Sequence, residues 1–263
     1  MKTMTRKIAG LGLTIFLIAA TGAHADEKAK AAAPFKGDYD ACLTLNSTAP
    51  KEALDYATKW ADADGADKLA ALHCKALVLS DLGQHEEAAK ALSQVALGMS
   101  AASAPPQDQA EVFAQVSDAW FVVGNNERAR VAIDQALALH PTARYLMDRA
   151  NIRAVAKDWA GARDDVSLIL SEEPNSADAL TLRATASRNL GATASALADA
   201  NRAVEIAPHN LSALLERGRT KAAAMDVVGA RADWQAVVDT AVTMGRADDP
   251  RAEAAKVYLK GNG

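Results

Sequence analysis

Three arginines and three aspartates recur in this sequence at intervals of 34 residues, and they could form a series of ion pairs. The planar guanidinium group matches a carboxylate with two parallel hydrogen bonds, so each pair would orient the elements that carry it. The residues are Arg149, Arg183 and Arg217, with Asp165, Asp199 and Asp233. They could form a charged ladder that binds a partner, or a structural register within or between repeats. Partly buried Arg–Asp pairs more often orient helices, which favours the register.

Other residue types that could support catalysis do not form a site in the sequence. The histidines outside the N-terminal segment are far apart, and no pair has the i, i+4 spacing of a zinc-binding helix. Acidic pairs such as Asp164-Asp165 are neighbours in sequence and are typical of a solvated helix surface. Phosphate-binding glycine loops and nucleophile elbows are absent from the sequence. We therefore expect no cofactor, no metal and no catalytic residue.

The elements that position the Arg/Asp series repeat with the same period. A small residue, a turn, an alanine and often a proline recur together, and the alanines are Ala129, Ala162, Ala196 and Ala230. Two antiparallel helices approach closely only where small residues occupy their crossing point. Proline ends the second helix because it cannot donate the backbone hydrogen bond. A pair of this size cannot bury its own apolar face, so it must stack on a neighbour.

The pattern resembles the tetratricopeptide repeat (TPR) family over most of the chain. The unit 110–142 carries the family's spacing of large, small and closing residues, namely Phe113, Ser117, Trp120, Ala129, Ile133, Ala136 and Pro141. The resemblance implies an all-α, right-handed superhelical solenoid of antiparallel helix pairs.

The repeat spacing also predicts a domain organisation. Four units should span 110–244, and two degenerate units with an insertion should span 35–109. Residues 245–263 should form a capping helix and tail, and residues 26–34 a flexible N-terminal segment. Atypical terminal units are expected, since they cover the open ends of the stack.

In this family the first helix of each unit lines a concave groove, so the resemblance implies a set of groove residues. They are Glu111, Asp118, Phe121, Arg144, Met147, Asn151, Asp178, Thr185, Arg188, Asn189 and Arg219. Their mixture of charged, amide and apolar groups suits an extended peptide, whose backbone needs hydrogen-bonding partners. For any one of them, a solvated helix surface is the alternative.

Two cysteines, Cys42 and Cys74, fall on the first helices of consecutive units. Such thiols can form a disulfide in an oxidising compartment if their Cα atoms come within about 7 Å. The alternative is a pair of small buried core residues. Their spacing is not that of a CxxC motif, so redox catalysis is not indicated.

The N-terminal residues 1–25 have the organisation of a secretory signal peptide. A basic stretch ending at Lys7 precedes an apolar run from Ile8 to Ala20, and Ala23-His24-Ala25 matches a cleavage site. The run is shorter than the ~20 residues that span a membrane. We expect cleavage before Asp26, no stable membrane insertion afterwards, and a periplasmic or secreted location.

Without that segment, 26 basic residues stand against 33 acidic ones, a net charge of −7 that argues against nucleic acid as a partner. The leading hypothesis is a non-catalytic interaction module of the cell envelope that binds a protein or peptide in its groove. An alternative is a structural subunit of an envelope assembly that uses its convex face or ends, and an enzyme is less well supported. Charge reversal at Arg188 and Arg219 should abolish partner capture only if the groove binds. The sequence indicates no oligomeric state.

Overall fold

The computed structural model describes residues 37–63 and 67–261. These residues form thirteen α-helices and no strand, which confirms the all-α fold predicted from the sequence. Within these ranges no helix is both long and apolar enough to cross a membrane. The predicted signal peptide, 1–25, and the segment 26–34 lie outside the described residues. The helices are α1 (Tyr39–Thr48), α2 (Pro50–Asp62), α3 (Lys68–Asp81), α4 (His85–Ala101), α5 (Pro106–Val122), α6 (Asn126–Leu139), α7 (Ala143–Val155), α8 (Trp159–Glu172), α9 (Ala177–Asn189), α10 (Thr193–Ile206), α11 (Leu211–Ala223), α12 (Val227–Thr243) and α13 (Pro250–Lys260).

Successive helices form antiparallel pairs that stack along the chain. Each helix contacts the next one from α1 to α13, and first helices of neighbouring pairs also contact one another, as α9 does with α11. Second helices make no comparable contacts with each other in the described ranges. Elements on the inner side of a curved stack lie closer together. We therefore call the surface lined by α1, α3, α5, α7, α9 and α11 the concave face.

Local sequence signals explain where the helices begin and turn. Side chains cap most helix starts, as when Asp158 accepts a hydrogen bond from the backbone N–H of Gly161 at 3.0 Å. In five pairs, the second residue after the end of the first helix has positive φ, a conformation that glycine adopts readily and other residues adopt at a cost. These residues are Gly83, Gly124, Lys157, Gly191 and Met225.

The helix crossings are closed by small side chains. The four periodic alanines, Ala129, Ala162, Ala196 and Ala230, are completely buried. At Gly218 even a methyl group would not fit, since its Cβ would lie 2.5 Å from Trp234 Nε1. The helices therefore fill the core by lying close together, since the sequence has few large side chains to fill it.

Candidate functional site on the concave face

Three of the predicted groove residues meet at one cavity between α5 and α7. Asp118 and Phe121 line it from α5, and Asp148, Asn151 and Ile152 line it from α7. Its volume is about 210 Å³, several times the roughly 30 Å³ that one water occupies in the liquid. The cavity can therefore accept the end of a side chain.

Two carboxyl groups border this cavity in surroundings that disfavour their charged forms. Desolvation by the surrounding protein, followed by the negative charge of Asp148, raises the pKa of Asp118 to about 6, although the residue as a whole is exposed to solvent. Burial also raises the pKa of Asp148. The Oδ2 atom of Asp148 is buried without a hydrogen-bond donor, and Arg144 Nε lies 4.0 Å from it. The protein thus neutralises this negative charge only in part.

A hydrogen-bonded group beside the cavity joins α5 to α7. Arg144 Nη1 donates to both carboxylate oxygens of Glu111 at 3.0 and 2.9 Å, and the Tyr145 hydroxyl donates to Glu111 Oε2 at 2.9 Å. Partial burial opposes ionisation of Glu111, but these donors outweigh it and lower the pKa. Burial and the Glu111 carboxylate raise the pKa of Tyr145 to about 12. Glu111 and Arg144 compensate each other and form a wall of the groove.

Two arginines predicted to face the groove are engaged within the protein. Arg188 Nε on α9 donates at 2.6 Å to Glu216 on α11, whose side chain is only 3% exposed. Arg219 Nε donates to the Tyr258 hydroxyl on α13 at 3.2 Å. Reversing the charge of Arg188 would therefore break a nearly buried ion pair. That substitution cannot separate groove binding from the alternatives.

The remaining predicted groove residues also make contacts within the protein. Asp178 accepts a hydrogen bond from Asn210 Nδ2 at 3.0 Å. Thr185 and Asn189 donate to backbone carbonyls four residues earlier, at 3.0 and 2.7 Å. Met147 is partly buried against the C-terminal core. The structure thus brings together the groove residues around Asp118 and leaves those on α9 outside that cavity.

The Arg/Asp series forms inside each helix pair, with the guanidinium donating through Nε and Nη2 to both carboxylate oxygens. The distances are 3.0 and 2.6 Å for Arg149–Asp165, 2.7 and 2.7 Å for Arg183–Asp199, and 2.9 and 2.5 Å for Arg217–Asp233. The three aspartate side chains are only 3%, 13% and 4% exposed. A partner cannot readily reach carboxylates that are buried and already paired. This geometry is that of a structural register.

Two of these aspartates have a second cation. Arg153 Nη1 lies 2.7 Å from Asp165, and Lys221 Nζ lies 2.8 Å from Asp233. Asp199 has no second cation among the described residues, so its charge depends on one arginine.

The sequence pattern missed Asp148, Tyr145 and Glu216. Asp148 follows Arg144 by four residues, which is typical of an exposed ion pair on one helix. Its approach to Asp118 has no periodic signal in the sequence. No group of three or more His, Cys, Asp or Glu side chains is placed to hold a metal within the described ranges.

The N-terminal part of the concave face is tied by a covalent bond and a hydrogen-bonded chain. Cys42 on α1 and Cys74 on α3 are joined by a disulfide with their Cα atoms 6.4 Å apart. The Tyr39 hydroxyl lies 2.5 Å from His73 Nδ1, and His73 Nε2 lies 2.8 Å from Gln115 Oε1. Because a carbonyl oxygen cannot donate, Nε2–H donates to Gln115. These contacts link α1, α3 and α5.

A larger cavity lies away from the concave face, between α4 and α6. Its volume is about 830 Å³, and Phe113, Val116 and Trp120 of α5 lie along it. Leu97 and Val131 also line it and are 68% and 51% exposed. This apolar groove on the convex side was not predicted from the sequence.

Comparison with known proteins is informative at the level of the fold. No protein-family model and no curated protein matches the sequence. MamA from Desulfovibrio magneticus RS-1 aligns with a TM-score of 0.59 at 18% identity, over 68% of this chain and 97% of that chain. A tetratricopeptide repeat protein from Parabacteroides merdae aligns with a TM-score of 0.57 at 18% identity, over 84% and 83%. YrrB aligns with a TM-score of 0.53 at 16% identity, over 80% and 98%. At these identities the similarity establishes the architecture, and this chain has the tetratricopeptide repeat fold.

Proposed function

We propose that this protein is a non-catalytic interaction module that binds a protein or an extended peptide on its concave face. The cavity at Asp118, Phe121, Asp148 and Asn151 carries the proposal, because it brings side chains from consecutive helix pairs to one point of that face. YrrB, which has a similar fold, is described as a TPR protein with an unusual peptide-binding site. That description supports peptide binding as a use of this architecture.

The chemistry of the cavity favours a basic side chain of the partner. A lysine or arginine entering it would place a positive charge near the Asp148 carboxylate, whose buried Oδ2 has no hydrogen-bond donor. The Phe121 ring offers an apolar wall for the methylene groups of such a side chain. The partner's charge would also hold Asp118 in its ionised form.

We further propose that the protein acts in the cell envelope after removal of residues 1–25. The basic stretch, apolar run and Ala23-His24-Ala25 sequence support export. The Cys42–Cys74 disulfide supports an oxidising compartment, since disulfides are rare in the cytosol. Mass spectrometry of the protein recovered from its own cells tests this proposal. An intact N-terminus with free thiols in a cytosolic fraction would refute it.

Selection of peptides from a random display library tests the binding proposal. Selected peptides should contain lysine or arginine, and Phe121→Ala or Asp148→Asn should weaken their binding at least tenfold. Leu97→Ser on the convex side is the matched control and should leave the affinity unchanged. Selected peptides that ignore the Phe121 and Asp148 substitutions would refute binding at this cavity.

A second candidate is a structural subunit of an envelope assembly that docks through its convex side. The apolar groove between α4 and α6 favours it, since exposed Leu97 and Val131 border a floor that contains Trp120. The same selection distinguishes the two candidates. Peptides that lose affinity with Leu97→Ser but keep it with Phe121→Ala would favour the convex groove.

A further inference from the structure

Helix α1 has little apolar burial to hold it against the rest of the protein. Of its ten residues only Cys42 is completely buried, whereas α2 buries three residues. Tyr39, Leu43 and Leu45 are only partly buried. Isolated helices of this length are not stable in water, so α1 depends on its packing against α2 and on its attachment to α3.

The noncovalent links between α1 and α3 lie where water can compete. Asn46 Nδ2 donates to Asp81 Oδ2 at 2.5 Å at an exposed position. The hydrogen bond between Tyr39 and His73 is only partly buried. Hydrogen bonds that exchange with water contribute little net stability. The completely buried bond between Cys42 and Cys74 is therefore the principal link between α1 and α3.

We propose that the Cys42–Cys74 disulfide is a redox-sensitive lock on α1. With the bond formed, α1 stays docked on α3; with the bond reduced, α1 leaves while the later helix pairs remain folded. A dithiol reductant supplies two electrons and two protons, so the S–S bond breaks into two thiols and the reductant becomes a disulfide. Both cysteines are 0% exposed, so attack on the bond requires prior opening of α1 and is slow.

The division of the core explains why release would stay local. The cluster around the disulfide is built from α1, α2 and α3. A separate cluster draws its buried residues from helices α3 to α7, and a third from α8 to α13. The buried residue of α1, Cys42, belongs to the first cluster, so loss of α1 leaves the buried residues of the other two clusters in place.

Release of α1 would also change the concave face. Tyr39 of α1 lines a cavity of about 410 Å³ together with His73 of α3 and Val112 of α5. When α1 leaves, this cavity loses its Tyr39 wall and His73 loses one hydrogen-bond partner. The redox state thus controls the shape of the N-terminal end of this face, independently of whether a peptide binds near Asp118.

Hydrogen exchange measured by mass spectrometry, with and without dithiothreitol, tests the lock. After a thiol count of two, amides of α1 should lose protection at least 100-fold, while amides of α7–α12 change less than twofold. The variant Cys42→Ala/Cys74→Ala should show the unprotected α1 without reductant, and dithiothreitol should not change it further. This control separates the disulfide from other effects of the reductant.

Two results would overturn the proposal. One is an α1 that keeps its protection in the reduced protein or in the double variant, because other contacts would then suffice. The other is loss of protection throughout the chain, including failure of the double variant to fold, because the bond would then hold the whole stack. If dithiothreitol does not reach the bond, the double variant alone decides between these outcomes.

Discussion

The C-terminal helix pairs α7–α12 and the N-terminal pairs α1–α4 both pack through alanine, yet different bonds align them. Each C-terminal pair contains a bidentate Arg–Asp ion pair at the same position. The N-terminal pairs lack this series and are joined to each other by a disulfide and a Tyr39–His73 hydrogen bond. Alanine contacts bring helices close, but a methyl group fits many positions along a facing helix. Directional bonds must therefore fix the alignment.

The ion pairs of the C-terminal part and the disulfide of the N-terminal part are broken by different changes. Ion pairs that are buried and bidentate depend on the presence of both partners, and removal of one leaves an uncompensated charge. A disulfide depends on the redox state of its surroundings. The stability of the C-terminal part should therefore change mainly when a residue of an ion pair is substituted. The stability of the N-terminal part should also change when a reductant is added.

The largest effect is expected for Arg183→Leu. Asp199 is 13% exposed and has no second cation among the described residues, so its unpaired carboxylate should lower the free energy of unfolding by about 3 kcal/mol. Urea denaturation measures this change. Arg217→Leu should cost less, since Lys221 stays 2.8 Å from Asp233.

The double variant Arg183→Leu/Asp199→Leu is the control for this prediction. It removes both charges and should recover most of the lost stability, because a buried ion pair and an apolar pair of similar volume are often equivalent. Unchanged thermal unfolding of Arg183→Leu would mean that the ion pair does not align α9 and α10.

A smaller loss, about 2 kcal/mol, is expected for Gly218→Ala in the C-terminal part. The new methyl group would meet the ring of Trp234, which is 2% exposed and cannot move aside easily. The matched change in the N-terminal part is Gly98→Ala, where the methyl group meets the flexible end of Leu69. That variant should lose little, because a leucine terminus can rotate and alanine favours a helix. Equal losses in urea denaturation would show that the two crossings are equally rigid.

The cavity between α5 and α7 should give a pH dependence of about tenfold in affinity. With a pKa of about 6, Asp118 is mostly neutral at pH 5 and mostly ionised at pH 7. A basic peptide that needs the ionised form should bind about tenfold more tightly at pH 7 than at pH 5. Asp118→Asn should remove this dependence in calorimetric titrations. A dependence that persists in the variant would assign it to another group.

The raised pKa of Asp118 also predicts a change in stability. Peptide binding should strengthen as the pH rises, whereas the folded protein should become less stable. The pKa of Asp118 in the folded protein lies above the ordinary value, so ionisation opposes folding as the pH rises from 4 to 6. Asp118→Asn should therefore raise the melting temperature relative to the natural sequence at pH 7 and have less effect at pH 4.

Sequence reasoning reached the fold because the same small residues recur at each helix crossing, as at Ala162 and Ala196. It also reached the residues of the Arg–Asp series, but spacing alone could not say whether the pairs form within or between repeats. It did not predict the role of Asp148, because the approach of this carboxylate to Asp118 on another helix leaves no periodic signal in the sequence. It did not predict that Arg188 pairs with Glu216, because the acceptor of a long side chain depends on how the helices pack. The helix that carries Asp118 begins at Pro106, four residues before the predicted unit at 110.

The smallest expected effect concerns the turns within helix pairs. Gly83 supplies positive φ in the N-terminal part and Gly191 supplies it at one turn of the C-terminal part, but Lys157, with φ of 62°, and Met225, with φ of 64°, take this position at the other two C-terminal turns. A left-handed conformation costs a residue other than glycine about 1–2 kcal/mol, and the greater entropy of unfolded glycine offsets part of the gain. Lys157→Gly should therefore raise the free energy of unfolding by about 0.5–1 kcal/mol in urea titrations. Lys157→Ala is the control and should bring no gain, because alanine keeps the Cβ. If glycine also brings none, the left-handed conformation of Lys157 does not cost the folded protein stability.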